Sequence, residues 1–106
     1  MRERNRTMQN TKYNGWSNYE TWAANMWIED DEDAYIYWTD QAKLCDPHSA
    51  DDAYALAKQL HDHHDDVVEE LKIPLSLATD LLSSAMSTID WLEVAKSLII
   101  GVNDNE

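Results

Sequence analysis

Apolar positions in this chain recur at helical rather than strand spacing. Tyr19, Trp22, Ala23, Met26 and Trp27 fall at i, i+3, i+4, i+7 and i+8, the template of an amphipathic helix. Ser17 followed by Glu20 reads as a capping box, and Gly15 just before it allows a sharp turn into the helix. The spacing therefore predicts a helix over about 18–29, with Trp16 beside its aromatic face. It stops in the acid run Glu29, Asp30, Asp31, Glu32 and Asp33. Such a run opposes the macrodipole at a helix C-terminus and favours it at an N-terminus, so it reads as a turn feeding a second helix. That helix is expected over about 32–45, with Tyr35, Trp38, Ala42 and Cys45 on one face, ended by Asp46 ahead of Pro47.

A third helix opens at Ser49, where Asp52 makes an imperfect capping box, and runs to Leu71. Ala53, Ala57, Leu60, His64, Val67 and Leu71 alternate in steps of four and three along one seam. Asp62, Asp65, Asp66 and Glu69 make an acidic stripe on the other side. Pro74 suits the first turn of a fourth helix, whose Ala78, Leu81, Leu82, Ala85 and Met86 share a face. The fifth helix is the best marked. Asp90 caps it, Glu93 completes a capping box, and Ile89 with Val94 forms a hydrophobic staple. Trp91, Val94, Ala95, Leu98 and Ile99 make its apolar face, and Gly101 is expected to stop it. No β-rich alternating run occurs. The expected fold is a compact all-α single domain of about five short helices over residues 13–102, with all five indoles largely buried. Residues 1–12 read as a disordered basic arm and 103–106 as a polar tail.

The stretch Asn14-Gly15-Trp16-Ser17-Asn18-Tyr19-Glu20-Thr21-Trp22 resembles the N-G-W-x-N-Y-E-T-W signature of a family of small uncharacterised proteins encoded by phages, plasmids and their bacterial and archaeal hosts. The likeness continues through Asn25 to Glu32 and returns at Ile89-Asp90-Trp91-Leu92-Glu93-Val94-Ala95-Lys96-Ser97-Leu98, where the family has a D-W-x-E-[VI]-A block. The resemblance implies a mobile-element setting. It transfers no catalytic residue.

Composition adds one strong fact. Eight basic residues stand against 21 acidic ones, for a net charge of −13. Arg2, Arg4, Arg6 and Lys12 belong to the arm, so residues 13–106 hold 4 lysines against 20 acids, a net −16. Self-repulsion on this scale costs stability and leaves the acidity to be explained. The single cysteine, Cys45, excludes an internal disulfide and suits a reducing compartment. No apolar run reaches the ~18 residues of a membrane span, and the first residues lack the apolar stretch of a secretion signal. A cytoplasmic location and no membrane partner are expected.

His61-Asp62-His63-His64-Asp65-Asp66 is the one string that suggests a metal or an acid–base pair, since His61 lies i+3 and i+4 from His64 and Asp65 on a helix. Metallo-hydrolase strings of this kind belong on a loop after a strand, and helical phosphohydrolases draw further histidines from other helices. Neither context is present here. We read His64 as a core-edge residue and the others as solvated, with no metal, no cofactor and no catalytic residues. A base-stacking platform of Trp and Tyr requires a positive groove, so direct nucleic-acid binding is not expected. Cys45 reads as a structural thiol, since Lys43 and Asp46 nearly cancel beside it.

What remains is the acidic surface. Phosphates recur about every 7 Å along a DNA strand and give one charge per ~1.7 Å of duplex axis. Asp62 and Asp66 would lie about 6 Å apart in axial rise. The leading expectation is a non-enzymatic DNA mimic. It would use Asp62, Asp65, Asp66, Glu69 and Glu29 to Asp33 against a basic, nucleic-acid-binding host protein, as an anti-restriction or anti-CRISPR inhibitor does. The alternatives are a protein–protein adaptor using an aromatic or apolar surface, and a small metal-dependent hydrolase built on His61. A homodimer stays open.

Overall fold

The computed structural model describes residues 13–72 and 77–104. The expected arm, the Pro74 turn and the end of the tail lie outside the described residues. Five helices follow in order: α1 (Tyr19–Asp30), α2 (Glu32–Lys43), α3 (Ala50–Glu70), α4 (Leu77–Ser87) and α5 (Trp91–Asp104). The fold is all-α, as the periodicity predicts. The described residues hold no strand, only a bridge between Tyr13 and Trp16.

That bridge closes a tight turn. The N–H of each residue donates to the other's carbonyl, at 2.6 and 2.7 Å. Asn14 and Gly15 take φ of 48° and 91° between them. Two successive left-handed residues are what a type I′ turn needs, and Asn-Gly is the pair that adopts them at least cost. The glycine is thus part of a hairpin rather than merely a flexible approach to α1.

The centre of the molecule is α5, which packs against α3, α2 and α1. Its predicted face is its observed one. Trp91, Val94, Ala95, Leu98 and Ile99 are all buried and meet Ala53, Leu56, Ala57 and Leu60 of α3, Trp38 and Ala42 of α2, and Ile28 of α1 in one core. Gly101 does not stop the helix, which continues to Asp104. Its φ is not left-handed, so no αL cap forms there. Asn103 helps to hold this last turn by donating from Nδ2 to the Ile99 carbonyl at 2.8 Å.

The N-termini of α1 and α5 meet and share their capping groups. Asn18, not Ser17, caps α1, its Oδ1 accepting from the Thr21 N–H at 2.8 Å. Asp90 caps α5 as expected, accepting from the Glu93 N–H at 3.1 Å. Neither reciprocal half of the expected boxes forms within its own helix. Glu93 instead reaches across to accept the Ser17 N–H at 3.1 and 3.2 Å. The Asp90 N–H donates to the buried Thr21 hydroxyl at 2.9 Å, and Asn18 Nδ2 donates to the Thr88 carbonyl at 2.9 Å. Carboxylates placed between two positive helix ends are favoured by both dipoles.

These cross-bonds fix the rotation of α1, and that overturns its predicted face. Thr21, Asn25 and Ile28 point inward. Trp27 is 71 % exposed and Tyr19 is 53 % exposed, while Trp16 and Trp22 are half-buried. Only Trp38 and Trp91 of the five indoles belong to the core. On α2 the buried residues are Trp38, Thr39 and Ala42; Tyr35 is largely exposed and Cys45 half-buried. Thr39 is tolerated inside because its hydroxyl donates back to the Tyr35 and Ile36 carbonyls at 2.7 and 3.1 Å.

On α3 the seam holds only through its first half. Ser49 caps it, accepting from the Asp52 N–H at 3.1 Å, and Ala53, Leu56, Ala57 and Leu60 are buried. Val67 and Leu71, expected on the same seam, are exposed, and His64 is half-buried. The reason is the neighbour. α4, which follows this half of α3 in the chain, makes only marginal contact with any other helix and has no buried residue.

Candidate functional site

The acidic corner between α1 and α2 is built from a single residue with two jobs. Asp31 donates its N–H to the Trp27 carbonyl at 3.2 Å, closing α1, and its Oδ1 accepts from the Ala34 N–H at 3.1 Å, opening α2. Glu32 and Asp33 then occupy the first turn of α2, where the dipole favours them. Glu29 is held by Asn25 Nδ2 at 3.0 Å. Asp30, Glu32 and Asp33 have no bonding partner among the described residues, and all five carboxylates of the run are exposed.

The stripe on α3 is equally exposed but partly engaged. Asp62 accepts from Lys58 Nζ at 2.6 Å and from His61 Nδ1 at 3.0 Å. The Lys58 bond first, and the His61 bond after it, hold the Asp62 carboxyl below its ordinary range. His61 Nε2 also stands 3.9 Å from Asp65 Oδ2. Asp66 and Glu69 have no bonding partner among the described residues. Because α3 is one unbroken helix here, Asp62 and Asp66 do lie about 6 Å apart along its axis.

The histidines of this string go different ways. His61 turns to the acids. His64 turns inward, stacked on Trp91 at 4.7 Å between ring centroids and facing Trp38 at 6.1 Å, with Nδ1 at 2.7 Å from the Leu60 carbonyl. Its N–H donates there in the tautomer that satisfies the bond. Burial pushes the His64 imidazole below its ordinary pKa; the Leu60 bond acts the other way, and His63 adds to burial. His63 meets Trp38 edge-on at 5.6 Å. Among the described residues, no three His, Cys, Asp or Glu side chains are grouped to hold a metal ion. Burial, and then the charge of Asp52, push the Cys45 thiol up, away from the reactive thiolate.

A feature that periodicity could not locate adjoins the α1–α2 corner at Asp31. An open groove of about 620 Å³ runs between α1 and the second half of α3, with α4 along its edge. Tyr19, Ala23 and Trp27, the outward face of α1, form one wall; His64 and Val67 of α3 face them, and Ala85 and Met86 of α4 border it. Among the described residues, Glu20 and Asp31 are the charged side chains in its lining, and no lysine or arginine lines it. The aromatic stripe that the spacing reads as core is therefore the wall of an open groove. The signal that could have shown this is α4: two of the five residues on its apolar face are alanines and none is aromatic, too little to cover α1 and α3 together. Tyr13, Tyr19 and Trp22 form a further aromatic cluster beside it, with ring centroids 5.0 to 5.6 Å apart.

Over residues 9–100 the chain matches the model of DUF7249, a family of unknown function, and it belongs to that family. No curated protein and no solved structure matches it. None of the described helices is long and apolar enough to cross a membrane.

Proposed function

We propose that this protein is a non-enzymatic binding protein that presents carboxylates in place of nucleic-acid phosphates and so blocks a basic surface on a host nucleic-acid-binding protein of the restriction or CRISPR kind. The observation that carries the reading is the state of the carboxylates themselves. Glu29 to Asp33 and Asp62, Asp65, Asp66 and Glu69 are all exposed, and Lys58 is the only lysine or arginine ion-paired with any of them among the described residues. A protein that needed acids only for local structure would pair or bury more of them. Mutual repulsion at this density is a standing cost that contact with a cationic partner would remove. The phage and plasmid setting implied by the resemblance supports the same reading.

The test neutralises the α3 stripe. Asp62, Asp65 and Asp66 changed to Asn, with Glu69 changed to Gln, should leave the melting temperature unchanged or slightly higher, because like charges at i, i+3 and i+4 repel. Capture of a nuclease or other nucleic-acid-binding protein from host lysate should fall sharply, and so should competition with DNA for it. Wild-type capture should itself weaken steeply between low and high salt. Undiminished capture and competition by the fourfold variant would move the contact to the α1–α2 corner or remove the mimic reading altogether. The adaptor alternative gains one specific observation, the aromatic groove.

A further inference from the structure

We infer that the groove between α1, α3 and α4 is a docking site for an amphipathic, basic helix supplied by the partner. The inference rests on the binding-protein reading above and names how such a partner is gripped. Three observations converge on that occupant. The walls are apolar and aromatic, and they include Trp27, an indole left 71 % exposed beside the half-buried Met86 and the exposed Val67. A volume of about 620 Å³ lies within the range of built binding pockets and admits two or three large side chains at once. The charges in and beside it are of one sign: Glu20 and Asp31 line it, and Asp30, Glu32 and Asp33 adjoin Asp31 in the exposed acid run.

An apolar helix face set into such a groove must carry Lys or Arg along its flanks, which excludes most alternatives by charge. A second copy of this chain would bring another −13 against the same acids. An acidic or neutral amphipathic helix would bury the same apolar area and leave the rim carboxylates desolvated without partners. A basic helix seats its i, i+3, i+4 and i+7 anchors between Trp27 and Val67 and pairs its flanking cations with the rim.

The experiment uses synthetic peptides as probes. A labelled Leu/Lys amphipathic helix is titrated against the full-length protein by fluorescence anisotropy, beside a Leu/Glu helix with the same apolar pattern and a Lys-rich peptide of the same composition in scrambled order. The Leu/Lys helix should bind, and both controls should bind roughly tenfold more weakly or worse, the scale of losing an anchor or its charge complement. Trp27→Ala and Val67→Lys, both at exposed positions and each checked by its melting curve, should weaken the Leu/Lys helix by a similar factor. Equal binding of the scrambled peptide would show a surface that takes any polycation; it overturns the groove and leaves the mimic reading standing. Equal binding of the Leu/Glu helix would overturn the choice of a basic occupant and count against the mimic as well. Undiminished binding by Trp27→Ala would remove the groove from the contact. Sedimentation showing a dimer that Trp27→Ala dissociates would assign the groove to a second copy instead.

Discussion

α4 and α5 carry the same kind of pattern and meet opposite fates. Ala78, Leu81, Leu82, Ala85 and Met86 repeat on α4 as Trp91, Val94, Ala95, Leu98 and Ile99 repeat on α5. Every one of the α5 residues is buried, whereas Leu77 and Leu81 of α4 are 75 % and 61 % exposed and no α4 residue is buried. The difference does not lie in periodicity. α5 has an indole and branched side chains to offer three neighbours, and its start is tied to α1 by cross-helix hydrogen bonds. α4 offers a face of the same width but with two alanines and no aromatic ring, and it edges an open groove. An amphipathic pattern states which side of a helix avoids water; it does not state that the protein itself supplies the cover.

The largest expected effect tests that contrast directly. Trp91→Ala should cost about 3–5 kcal/mol, because it empties the centre of the core and removes the ring on which His64 stacks. Leu81→Ala on α4 should stay within about 0.5 kcal/mol, as exposed substitutions do. Chemical denaturation of both variants measures the ratio. Comparable losses would mean that α4 is packed in solution and that the groove is closed.

A smaller effect should come from the junction that distinguishes α5. Thr21→Val keeps the shape of a fully buried residue and leaves the Asp90 N–H without its acceptor. The cost should be about 1–3 kcal/mol. Amide exchange should quicken in the first turn of α5, bringing it toward the behaviour of α4. Thr21→Ser should restore most of the loss. If Val and Ser behave alike, the cross-bond is not what holds α5 in place.

The smallest effect concerns pH. His64 lies between the α5 core and the groove, and its folded pKa is held below the ordinary 6.5. On acidification the unfolded chain takes up a proton at this residue before the folded one does. The stability tied to neutral His64 is therefore complete above 6.5 and declines as pH falls from there toward the folded value. Between about pH 7.5 and about 5.5 the wild type should lose stability relative to His64→Phe, which keeps an aromatic ring between the indoles and cannot be protonated. The carboxylates are common to both proteins and cancel in the comparison. Parallel pH curves would place His64 in water rather than against Trp91.

Much of the fold was legible because helix signals are local. The five elements, the caps at Ser49 and Asp90, and the buried faces of α5 and of the first half of α3 all follow from spacing within a few turns. Gly101 was misread for the same locality: a glycine near a helix end suggests a stop, but beyond it Val102 packs against the core and Asn103 bonds back to the Ile99 carbonyl. At the candidate site, the exposure of Glu29 to Asp33 and of Asp62, Asp65, Asp66 and Glu69 was legible, since a carboxylate without a buried partner stays in water. The groove beside them was not.

By itself, then, the sequence determined where helices run, which stripe of each is apolar and where the negative charge gathers, because backbone capping and side-chain periodicity act over four residues or fewer. Tertiary structure alone decided which apolar stripe is covered. Ser17 and Glu93 lie 76 positions apart, as Thr21 and Asp90 lie 69 apart, and their bonds set the rotation of α1. That rotation turns Thr21 and Asn25 inward and Tyr19 and Trp27 out, against their hydropathy. Burial is a property of the pair of surfaces that meet, and a single helix cannot specify its partner.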